Sequence, residues 1–273
     1  MKGKIKLFIL FVMIIGIGSN LFANFGLPGL SLPNDILTGY NYDLVSMLKQ
    51  NKIEGKLFYA AYSPWMYDTK YSVINYSFKD GFVGFKGLLS DEIEIRGEQP
   101  TDEPVGETQY YNCAIGGGKF FKKDKLIMGI SGNVLFEKLY YQTAWGFSIN
   151  SMLQYKFNEF YKPYVGVDNL GKMGKLEDES TALPTKYFAG NEYNFENIKV
   201  GTSLGMDNDQ KVFYRLNAYY LNKYGTISTG DSSYKADKHY GIQVFIKNYA
   251  IGFGQFIYRE ELQSPFMFSI SIM

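Results

Sequence analysis

The chain has one cysteine, one histidine and two tryptophans in 273 residues, and no long apolar run beyond its N-terminal segment. The lone Cys113 excludes an internal disulfide and any cysteine metal cluster, and reads as a small half-buried residue. The lone His239 leaves zinc sites and Ser-His or Cys-His catalysis resting on one side chain. It falls beside Asp237 and Lys238, in a stretch that reads as a polar loop, so a solvated histidine is expected. The acidic clusters Asp91-Glu92-Glu94 and Glu177-Asp178-Glu179 also read as solvated loops. No catalytic constellation, metal or cofactor follows from these residues, and an enzyme is not expected. A net charge of +1 gives no electrostatic case for nucleic acid. With no second hydrophobic helix after the N-terminus, a helical membrane protein is not expected.

Tyrosine, phenylalanine and glycine are abundant instead, at 24, 22 and 29 residues. Aromatic girdles at two lipid–water boundaries, with glycine where strands bend and pack, account for such a load. The slightly negative mean hydropathy fits a wall in which every second residue faces a polar lumen.

Residues 1–23 read as a cleavable export signal, with a retained N-terminal anchor as the alternative. Lys2, Lys4 and Lys6 precede the apolar stretch Leu7 to Ile17, and Leu21-Phe22-Ala23 offers a cleavage site before Asn24. No cysteine stands at that site, so no lipoprotein anchor is expected.

Period-two alternation covers almost all of residues 56–273. Leu126, Met128, Ile130, Val134 and Phe136 share one face, against Gly129, Ser131 and Asn133. The windows 145–155, 198–206, 212–220 and 242–246 repeat the pattern. Weaker windows fall at 56–63, 67–78, 81–97, 107–118, 160–168, 185–194, 250–259 and 265–273. Long polar loops are expected at 98–106, 169–184 and 222–237. The windows total about 13, and bacterial single-chain barrels use even numbers, so 12–14 strands are expected. The fold class is therefore all-β: an antiparallel transmembrane β-barrel in the outer membrane. In lipid, apart from helices, only a closed barrel satisfies its own backbone.

Residues 24–55 differ in kind. Asp43–Gln50 reads as a short helix with Leu44, Val45 and Leu48 on one side. It either plugs the lumen or forms a strand-closing or periplasmic segment. The inward face carries Asn75, Lys86, Asn133, Asn150, Gln154, Lys199, Arg215, Asn217, Gln243 and Lys247, with Asp168, Lys162 and Tyr164 on the 160–168 window. Two readings of these residues stand. One is a mildly cationic wall that attracts anionic solutes or a fatty-acid carboxylate, and the other is a paired polar network filling a closed lumen. Ile127, Leu135, Phe213 and Phe245 also face inward, which suits a semi-apolar ligand better than a general diffusion pore.

Several phrases carry a resemblance: Tyr62-Ser63-Pro64-Trp65-Met66-Tyr67-Asp68, Phe82-Val83-Gly84-Phe85, Val165-Gly166-Val167-Asp168-Asn169-Leu170-Gly171, Ala182-Leu183-Pro184 and Ala189-Gly190-Asn191-Glu192-Tyr193. In their order they resemble the PorV/PorQ-like barrels, relatives of the long-chain fatty-acid (FadL-type) outer-membrane transporters. The resemblance implies a 14-stranded monomer with an N-terminal hatch. Its implied partners are outer-membrane lipid, a hydrophobic or fatty-acid-like ligand, or secretion-system proteins. The expected function is passage of hydrophobic or amphipathic small molecules; a secretion-associated or structural barrel is the alternative.

Overall fold

A computed structural model describes residues 57–64, 68–96, 103–176, 179–180, 182–233, 238–257 and 265–272. The strands are β1 (Leu57–Pro64), β2 (Thr69–Phe78), β3 (Gly81–Ser90), β4 (Ile93–Ile95), β5 (Gly106–Thr108), β6 (Tyr111–Lys123), β7 (Leu126–Leu139), β8 (Gln142–Tyr155), β9 (Tyr161–Met173), β10 (Lys175–Leu176), β11 (Glu179–Ser180), β12 (Lys186–Phe195), β13 (Ile198–Asp207), β14 (Val212–Asn222), β15 (Gly225–Ser232), β16 (Lys238–Ile246), β17 (Tyr249–Ile257) and β18 (Phe266–Ile272). Fourteen of them close an antiparallel barrel; β4–β5 and β10–β11 are small ribbons in its connections. The expected signal segment and the Leu44, Val45 and Leu48 helix lie outside the described residues.

Alternation builds this wall. Along β16 the exposed Tyr240, Ile242 and Val244 alternate with the buried His239, Gly241 and Gln243. Register carries the same face around the barrel: Ile227 lies opposite Ile242, Ile242 opposite Phe253, Phe253 opposite Phe268, and Phe268 opposite Tyr62. The last pairing, between β18 and β1, closes the cylinder and leaves no sheet edge. A slip of one residue anywhere would turn this apolar row inward, so the pattern specifies the register. Exposed rings gather near both rims. Tyr76, Phe121, Tyr155 and Tyr249 stand at one end; Tyr62, Trp145, Tyr187 and Tyr240 stand at the other. That is the spacing of two interfacial girdles around an aliphatic belt.

One whole strand of the barrel falls outside the expected windows. Residues 222–237 read as a long polar loop, yet they contain β15. Thr226, Ser228 and Gly230 face inward, and Thr229 and Asp231 face outward, so Ile227 is the only apolar member of its outer face. Alternation of hydropathy disappears although alternation of direction does not. This strand brings the count to fourteen, and it makes the two ends distinct. One end carries the short turns at 79–80, 124–125, 156–160, 196–197, 223–224 and 247–248. Asp124, Glu196 and Lys247 take left-handed φ values of 52°, 50° and 52° in three of them. The opposite end carries every other connection, including the longest, β3–β6 and β9–β12.

Candidate lumenal site

Inward residues of seven strands meet in one apolar cluster: Phe82, Phe120, Ile127, Met152, Tyr164, Phe188 and Phe213, all buried. Each stands at an inner position of its own period-two pattern, so β3, β6, β7, β8, β9, β12 and β14 contribute one residue apiece. Glycines make the room. A Cβ on Gly190 would lie 2.6 Å from the Tyr164 hydroxyl, and one on Gly205 would overlap the Phe213 ring. Small residues in the wall let large rings lie across it.

A second cluster sits under the long-connection mouth. Ala114, Leu135, Ala144 and Met173 pack with Leu183, which comes from the β9–β12 connection. That connection is pinned at a kink in β9. Asn169 has φ of 55° at the β8–β9 register shift, and its N–H donates to Asn150 Oδ1 at 2.7 Å. Its Nδ2 donates to the Pro184 carbonyl at 3.3 Å, and the Thr185 hydroxyl donates to the Asn169 carbonyl at 2.8 Å. The phrase around Asn169 and the phrase Ala182-Leu183-Pro184 are thus two halves of one physical unit. Where 169–184 reads as a polar loop, β9 instead runs on to Met173 and Leu183 is buried.

Polar groups line the remaining inner wall. Asn150 Nδ2 donates to Ser131 Oγ at 2.9 Å, and Asn133 Nδ2 to Ser148 Oγ at 3.0 Å. Gln243 Nε2 donates to Ser271 Oγ at 3.5 Å, in a stripe with Thr226, Ser228 and Ser269, all buried. Lys162 Nζ meets Glu192 Oε1 at 3.3 Å, both side chains buried, and Asn194 Nδ2 donates to the same oxygen at 2.9 Å. At the long-connection mouth the Tyr110 hydroxyl donates to Glu137 Oε1 at 2.9 Å; burial and then the Glu137 charge hold that phenol well above its usual range.

Asn75 and Gln154 are buried at inner positions of β2 and β8. Lys86, Lys199 and Asn217 are half-buried at inner positions. Arg215 is half-buried too, its guanidinium 5.0 Å from the Phe213 ring centre. Asp168 stands opposite the buried Lys186 in register. Lys247 lies exposed in the β16–β17 turn, away from the wall. His239 is the clear correction. It is a buried residue of β16 facing the lumen, where its ring and Asn217 fill the space above Gly230. The loop expected there is strand, because Tyr240, Ile242 and Val244 continue their outer face back to Lys238. Sequence reasoning missed Glu192, Phe82, Phe120, Met152 and Phe188. Their inner positions are visible as alternation, but which of them meet depends on register between strands.

Among the described residues, no group of three or more His, Cys, Asp or Glu could hold a metal ion. No family model matches the chain, and neither does any curated protein. Solved structures do match. The toluene transporter TodX of Pseudomonas putida superposes with a TM-score of 0.55 at 10% identity, over 92% of this chain and 98% of that one. CymD, a monoaromatic hydrocarbon channel, superposes with a TM-score of 0.50 at 9% identity, over 89% of this chain and 93% of that one. The fold is that of an outer-membrane β-barrel. At these identities the likeness is one of fold, and nothing in it singles out the PorV/PorQ-like branch.

Proposed function

We propose that the protein is an outer-membrane channel for hydrophobic or amphipathic small molecules, with its short turns in the periplasm. The observation that carries this reading is the seven-residue apolar cluster inside the barrel. A water-filled diffusion pore gains nothing from rings buried on its inner wall, whereas an apolar solute is solvated by them. The ion pair supports the same reading. Glu192 neutralises Lys162, so the inner wall is less cationic than its lysines alone imply, and a carboxylate on the solute is not required. The orientation follows the habit of short periplasmic turns and longer outer loops. TodX and CymD, similar in fold, are hydrocarbon channels, so transport is preferred to a secretion-associated role. Residues 24–55 serve in this reading as the plug, with Leu44, Val45 and Leu48 as its apolar face.

The test is uptake of radiolabelled toluene into proteoliposomes, with ion conductance recorded in planar bilayers from the same preparation. The full chain is expected to take up toluene and conduct ions weakly, and a chain lacking 24–50 to conduct steadily. Phe188→Asp, which puts a carboxylate into the apolar cluster, is expected to lower uptake by at least roughly tenfold. Large steady conductance by the full chain without toluene uptake would overturn the reading.

A further inference from the structure

At the short-turn rim three adjacent hairpins gather lysines: Lys79 from β2–β3, Lys119, Lys123, Lys125 and, at an inward register position, Lys122 from β6–β7, and Lys156 from β8–β9. The hairpins are tied together. Gly81 stands opposite Lys119, the Phe120 N–H donates to the Asp80 carbonyl at 2.8 Å, and the Lys156 N–H donates to the Lys125 carbonyl at 2.7 Å. Lys156 is matched by Glu159 at 2.5 Å, and this hydrogen bond and its charge hold the Glu159 carboxyl below its usual range. The other five lysines are exposed. Among the described residues none of those five lies in ion-pair reach of a carboxylate. At the opposite end Lys70, Arg96 and Lys211 sit on Asp91, Glu94 and Asp209, while the exposed Lys172, Lys175 and Lys238 are spread over separate connections.

Position adds to charge. Lys119 Nζ lies 5.6 Å from the centre of the exposed Phe121 ring. Phe78, Phe121 and Leu126 stand exposed beside the patch, at the hem of the apolar belt. Where such a belt meets acyl chains, ammonium groups at its hem stand at the depth of lipid phosphates, and lysine stems reach that depth without burying the charge.

We propose that this patch binds the headgroups of anionic phospholipids in the leaflet at the short-turn end. Each headgroup phosphate replaces a missing carboxylate as counter-charge to a lysine. The attraction fixes the height of the barrel in the bilayer and enriches phosphatidylglycerol around these hairpins. The proposal requires the barrel to span a membrane but is indifferent to what the lumen carries.

Native mass spectrometry of the full chain, purified in dodecyl maltoside with equimolar phosphatidylglycerol and phosphatidylcholine, tests it. The expected result is retention of phosphatidylglycerol over phosphatidylcholine, weakened by salt. The combined variant Lys79→Gln, Lys119→Gln, Lys123→Gln and Lys125→Gln is expected to lose that preference, by about fivefold for each lysine removed. The matching arginine variant is expected to keep it, and heat-modifiable gel mobility shows that both variants fold. Equal retention of the two lipids by the wild-type chain would overturn the proposal, as would an unchanged preference in the glutamine variant. Capture of an acidic polypeptide by the same lysines, with no lipid preference, would assign the patch to a protein partner instead and also overturn it.

Discussion

Glu192→Leu is expected to destabilise the barrel by about 3–5 kcal/mol, the usual cost of stranding one partner of a buried ion pair. Register places Glu192 opposite Lys162 on β12 and β9, and the two side chains retain only 1% and 7% of their exposure. Removing the carboxylate leaves an ammonium group with no counter-charge and takes the acceptor from Asn194 Nδ2. The double variant Lys162→Met with Glu192→Leu is expected to recover most of the loss, because neither charge is then buried. Urea unfolding of detergent-refolded protein, followed by tyrosine and tryptophan fluorescence, gives both values. A single variant as stable as the wild type would mean that water reaches the pair, and the lumen would then be far wetter than its burial indicates.

The second large effect belongs to the outer wall. Ile242 stands midway along β16 with Ile227 and Phe253 opposite it, both apolar and both exposed. Ile242→Arg is expected to cost about 2–4 kcal/mol in a bilayer, the penalty for a cation at the midplane of a barrel's lipid face. One position along the same strand, Gln243 faces the lumen and bonds Ser271. Gln243→Ala is expected to cost only about 1 kcal/mol, the worth of one ordinary hydrogen bond. Reversible unfolding of vesicle-reconstituted protein checks both. Equal costs at the two positions would remove the distinction between a lipid side and a lumenal side.

How much could be read from sequence follows from what alternation can and cannot encode. The faces of β7, β8 and β16 are legible because apolar outer residues recur every second position against Gly, Ser, Asn and Gln. β15 is hidden because its outer Thr229 and Asp231 are as polar as its inner Thr226 and Ser228. Without β15 the number of strands stays odd, and His239 reads as a loop residue. Inner positions of single strands were legible too, including Asn133, Asn150, Arg215 and Gln243. Partnerships between strands were not. Lys162 finds Glu192, and Phe188 finds Phe213, through shear and register, which leave no mark on a single chain read alone. The kink at Asn169 is half visible: its phrase and the Leu183-Pro184 phrase both stand out in the sequence, but the hydrogen bonds joining them do not.

Oxygen accessibility of spin labels placed one at a time along residues 238–246, in a Cys113→Ser background reconstituted in bilayers, measures the wall itself. Maxima at 240, 242 and 244 with minima at 239, 241 and 243 are the result required of a barrel whose apolar face meets acyl chains. A flat profile along these nine positions, or labels at 240, 242 and 244 reached by water-soluble nickel rather than oxygen, would contradict it.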